Sequence, residues 1–172
     1  MTQPEGETDR GEGAEEAREL RKEAFTMALY VAICLLAALS VVSQHGETNE
    51  ADTFKIVWGT TLGLALAHWF AFRVSSRLVA AGSVRRQDAA AAGAQLAGAA
   101  AVALLATIPV LLFPDSAELD VVRLVLAALI AVVGYAVARG AGATTARSIA
   151  YAVSILLLAT AVALIKNVLA GH

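Results

Sequence analysis

From residue 24 onward, long apolar runs alternate with short polar breaks, and the runs lack the period-two alternation of strands. Crossing roughly 30 Å of hydrocarbon takes about 20 helical residues. Five runs suit that length, at about 24–43, 53–75, 89–113, 120–138 and 146–169. The first has its core at Leu29 to Leu36, between Arg21-Lys22-Glu23 and Gln44-His45-Gly46. The second carries Trp58 and Trp69 and ends in Arg73 and Arg77. The third opens almost entirely in Ala and Gly, which makes it the weakest by hydropathy, and Pro114-Asp115 closes it. Pro109 removes an amide donor and frees the Leu105 carbonyl, so a bend is expected near that point. Helix is required because backbone amides in lipid must be satisfied within the segment or in a closed barrel. The pattern therefore predicts an all-α, polytopic transmembrane bundle.

Charge tests the count independently. With the N-terminus in the cytoplasm, the inner set is Arg10, Arg18, Arg21, Lys22, Arg73, Arg77, Arg85, Arg86, Arg139 and Arg147. Only Lys55, Arg123 and Lys166 fall outside, and ten against three is a strong positive-inside bias. Deleting the third run would move Arg139 and Arg147 outside and Arg123 inside. The charges thus support five spans, N-terminus in and C-terminus out, in a plasma (cytoplasmic) membrane. Both outer loops, Glu47 to Asp52 and Asp115 to Asp120, are acidic.

Composition agrees. Of 172 residues, 58% are hydrophobic and 16% charged, with one cysteine. This excludes a disordered regulator, a disulfide-stapled scaffold and a basic nucleic-acid binder. The net charge of −2 conceals an acidic tail, since residues 1–23 hold eight acids and four basic residues. That tail is expected to be disordered over 1–13 and helical from Ala14, with Glu15/Arg18 and Glu19/Lys22 as attractive neighbours. A cleaved signal peptide is the competing reading of the first run. Against it, the preceding tail is long and net acidic, and the apolar stretch exceeds a signal core.

Few side chains could carry chemistry. His68 lies within the second run, and Thr61, His68 and Ser75 are spaced seven apart on one helical stripe. An ionisable residue at that depth is a functional candidate, and imidazole exchanges a proton near neutral pH. The competing reading is a neutral imidazole bonded between helices. Gln95, Tyr135 and Tyr151 fall at a similar depth, so with the stripe they outline a candidate polar pocket. An interfacial tyrosine belt is the simpler account of the tyrosines.

Gly59, Gly63 and Ala67 form a small-residue face, and Ala94/Gly98 form another on the third run. Such faces admit close helix approach, here expected within the chain more than between chains. Arg73, Arg77, Arg85 and Arg86 are expected to snorkel to the inner interface, or to touch anionic lipid or solute. His45, Glu47, Glu50 and Asp52 lack rigid metal spacing, and no zinc, phosphate-loop or hydrolase motif is present. No metal or other cofactor is expected. The expectation is a non-enzymatic membrane component acting as an oligomer or accessory subunit. The alternatives are a small permease or channel for a proton-coupled or anionic solute around His68 and, less favoured, an intramembrane lipid-modifying enzyme. The bilayer and a second copy or membrane-protein partner are the expected partners, with no nucleic acid.

Overall fold

Long runs of Ala, Leu and Val satisfy their own backbone donors by coiling, and among the described residues five helices result. The computed structural model describes residues 5–42, 50–79, 86–113 and 115–170. The helices are α1 (Glu5–Val42), α2 (Glu50–Val79), α3 (Arg86–Leu112), α4 (Asp115–Gly140) and α5 (Thr145–Ala170). Among the described residues there is no strand. Among the described residues, four helices are long and apolar enough to cross a membrane, over Gly13–Ser40, Arg86–Leu112, Ala117–Gly140 and Thr145–Val162.

That set includes α3, whose Ala/Gly opening made it the weakest expectation. Instead α2 falls short, diluted by Thr53, Lys55, Thr60, Thr61, His68, Arg73 and two glycines. α1 begins at Glu5, well before Ala14, because no proline interrupts Glu5–Val42 and the helix propagates backward from its apolar half. One expected pair forms there, Lys22 Nζ with Glu19 at 3.4 Å.

Packing is organised around α1, which touches all four other helices and meets α3 most extensively. Val31, Leu35 and Leu39 of α1 pack with Val102, Ala103 and Val110 of α3 and Leu126 and Ile130 of α4. Pro109 is buried inside α3. The outer surface carries the larger side chains, including Phe70, Leu111, Leu124, Leu157 and Leu158, each more than 60% exposed. Large and small apolar side chains share the interior, and a further set of large apolar side chains covers the exterior, an arrangement that suits a hydrocarbon solvent.

The α4–α5 connection shows how tightly the termini are closed. Ala143 N donates to Ala138 O at 3.1 Å and Gly142 N to Arg139 O at 3.0 Å. This is a Schellman cap, with Gly142 at φ +80° in the left-handed position. Thr144 then caps α5, its hydroxyl facing the Arg147 amide at 3.5 Å. Two close approaches lock helices together. A Cβ added to Gly98 would overlap the Ala24 carbonyl oxygen and lie 3.0 Å from its carbonyl carbon. One added to Gly134 would lie 3.1 Å from Ile155 Cδ1.

Candidate functional site

α2 turns Val57, Ile56 and Leu64 toward the core together with Thr53, Trp58 and Thr61, and several of its polar side chains, the exposed His68 included, find partners on other helices. At the end of the bundle nearer the N-terminal extension, His68 Nε2 lies 2.7 Å from Gln95 Oε1 of α3. Gln95 Nε2 in turn donates to Glu23 Oε2 of α1 at 2.6 Å. Because the amide oxygen accepts and the carboxylate accepts, His68 Nε2 carries the hydrogen of the first bond. The three residues form one directed chain, imidazole to amide to carboxylate. A cavity of about 10 Å³ beside it, bounded by Met27, His68, Trp69 and Gln95, has room for about one water.

Glu23 stands in the sequence only as the charged border of the first run, and nothing local marks it as a site residue. Its partner is 72 positions away. The signal available was its place one turn inside Glu19 on a continuous helix, at the edge of apolar sequence.

The wider pocket expected around His68 does not assemble. Thr61 is buried and donates to Val57 O at 2.7 Å, and Ser75 donates to Phe72 O at 3.1 Å, so both hydroxyls serve their own helix. Tyr151 stands exposed on α5, which makes no contact with α2 among the described residues. Tyr135 is half-buried on α4, which meets α2 only slightly. The reason is topological, since α1 lies between α2 and α5. Of the six expected residues, His68 and Gln95 are brought together.

Further along α2, Trp58 Nε1 donates to Thr107 Oγ1 of α3 at 3.0 Å. At the far end Thr53 Oγ1 donates to Glu118 Oε1 of α4. Glu118 is fully buried, and its Oε2 has no hydrogen-bond partner among the described residues. By sequence the stretch 115–120 reads as an acidic outer loop, but α4 begins at Asp115 and Glu118 is buried. Beyond it, Arg123 Nη2 donates to the Leu39 carbonyl of α1, and Nη1 pairs with Asp120 at 3.2 Å. Its Nε is buried without a partner among the described residues.

The small-residue faces have different fates. Gly98 is closed against α1, and Ala94 is half-buried on the same helix. Gly59, Gly63 and Ala67 are exposed, and a Cβ at either glycine would meet nothing within 4 Å. The packing expected for this face within the chain is therefore not made, because the partners of α2 lie on its opposite side, with Val57 and Thr61. Gly134, not singled out from sequence, is the second glycine held at close range.

Arg73 is exposed and lies over the Trp69 ring, 5.1 Å from its centroid. Arg86 is exposed at the start of α3. Arg85, the side chains of Arg77 and Lys166, and the segment 43–49 lie outside the described residues. An acidic cleft of about 680 Å³ runs between α1 and the start of α3, lined by Glu15, Glu16, Glu19, Glu23 and Asp88. Among the described residues no group of three or more His, Cys, Asp or Glu is arranged to hold a metal. No protein-family description, curated protein or solved structure matches the chain.

Proposed function

We propose that this chain is a non-enzymatic component of the plasma (cytoplasmic) membrane, with five spans, that works by associating with a second copy of itself. The observation that carries this reading is the open face of α2, where Gly59, Gly63 and Ala67 stand exposed. The close-approach glycines Gly98 and Gly134 are already filled from within the chain. An identical small-residue face on a second copy pairs with it about a two-fold axis, backbone to backbone. The same association helps α2, the least apolar of the helices after α1's charged extension is set aside, to hold a spanning position. In this arrangement the N-terminus is cytoplasmic and the C-terminus external, as the basic residues favour.

The test is energy transfer between donor- and acceptor-labelled copies in liposomes. Transfer should rise with protein-to-lipid ratio and fall for Gly59→Leu/Gly63→Leu, whose added side chains meet open space in the single copy. Undiminished transfer in that variant would sink the reading. A C-terminal reporter active only outside the cell should report the topology, and cytoplasmic activity would overturn it.

One observation favours a second reading, proton-linked passage of a solute. The directed His68–Gln95–Glu23 chain joins an imidazole to a carboxylate through an amide that orients both. A proton held on His68 is then sensed at Glu23, on the helix around which the bundle packs. His68→Leu should abolish proton-coupled uptake into proteoliposomes, and uptake unaltered by the change would remove His68 from the mechanism.

A further inference from the structure

At the end of the bundle remote from the N-terminus, α1, α4 and α5 leave a groove of about 360 Å³. We propose that it holds one zwitterionic phospholipid of the phosphoethanolamine type, with the phosphate on Arg123 and the ammonium on Asp120.

The groove has a polar end and an apolar end, ordered consistently on two helices. On α4, Asp120 and Arg123 precede Leu124 and Ala127. On α1, Ser40 lies one turn beyond Leu36. Thr160 and Leu164 of α5 complete the wall. The hydroxyls do not make the wall polar, because Ser40 donates to Leu36 O at 2.7 Å and Thr160 to Leu156 O at 2.8 Å. Leu124 and Leu164 are exposed along it. A space of this size is at the small end of ligand pockets, about 300–1,000 Å³, and suits part of a lipid left open to the bilayer.

The polar end specifies the headgroup. Arg123 is anchored from two sides, to the Leu39 carbonyl and to Asp120, while its Nε hydrogen is buried without an acceptor among the described residues. Phosphate oxygens match a guanidinium fork, and the Arg123 side chain keeps 22% exposure where it lines the groove. The Asp120 side chain is 83% exposed at the mouth, open to a primary ammonium. The charges among these lining residues are one cation and one anion, so a headgroup of zero net charge fits. A net anionic lipid would set its excess charge against Asp120.

Native mass spectrometry of the full chain, taken from bilayers of equimolar phosphatidylethanolamine and phosphatidylglycerol, tests this. The parent chain should retain one phosphatidylethanolamine in preference to phosphatidylglycerol. Arg123→Gln should lower that retention about tenfold, the scale of one charge-assisted hydrogen bond. Asp120→Asn should erase the preference between the two lipids, and Ala127→Trp, which fills the apolar end, should displace the lipid with Arg123 intact. The last two variants keep the Leu39 anchor, so they decide the matter even if Arg123→Gln fails to fold. Equal retention of both lipids by the parent, retention undiminished in Ala127→Trp, or a protein dimer without lipid that Ala127→Trp breaks would each overturn the proposal.

Discussion

Gly98→Ala isolates one methyl group at the closest glycine contact between helices. The added Cβ would overlap the Ala24 carbonyl oxygen and lie 3.0 Å from the carbonyl carbon and 3.2 Å from Cα. All three atoms are backbone, so no side chain can rotate away, and α1 and α3 must separate. Overpacking of this kind costs about 1–3 kcal/mol, and an unyielding partner places the cost near the upper figure. Alanine returns up to about 1 kcal/mol of helix propensity. The net expectation is a loss of about 2 kcal/mol. Gly59→Ala and Gly63→Ala are the controls, since open space at both leaves only the propensity gain. Unfolding in mixed micelles, diluted to keep the chain monomeric and followed by Trp58 and Trp69 fluorescence, gives the comparison. A Gly98→Ala midpoint equal to the parent's, or a Gly59→Ala midpoint lowered as far, would refute the reasoning.

The same unfolding assay reads three further changes. Thr53→Val removes the hydroxyl that donates to the buried Glu118 carboxyl and should cost about 1–3 kcal/mol. Thr53→Val/Glu118→Leu should recover much of that loss, because replacing both partners removes the buried polar group; a double variant weaker than the single would contradict this. Trp58→Phe should cost about 1 kcal/mol through the lost bond to Thr107, and a Thr107→Val background should abolish the difference. Gly142→Ala forces a side chain into φ +80° and should cost about 1–2 kcal/mol, whereas Gly140→Ala, with open space and no positive φ, should not.

Helix positions were largely legible because they depend on local quantities. Apolar run length, the lack of alternation and the prolines sufficed to put α3, α4 and α5 within a few residues of their observed bounds, apart from the earlier start of α4. That difference matters most, since it converts Glu118 from a loop acid into a buried one. A carboxylate beside apolar sequence looks the same in either setting until Thr53, 65 positions away, is brought against it. α2 shows the reverse case. Its scattered polar residues read as weak hydropathy, yet Thr53, Trp58 and His68 each meet a partner on a neighbouring helix. The apparent defect is a set of polar contacts between helices, from buried Thr53 to exposed His68.

The sequence by itself determined that the chain is helical and membrane-like, because backbone hydrogen bonding and transfer from water act on each segment alone. It also located the small-residue motifs and the sparse ionisable groups. Which motif is filled and which is open was decided only in three dimensions: Gly98 is pressed on α1 while Gly59 and Gly63 face outward. So was the chain from His68 through Gln95 to Glu23, and the groove over Arg123. These depend on which helices become neighbours, a collective result of packing that no single segment encodes.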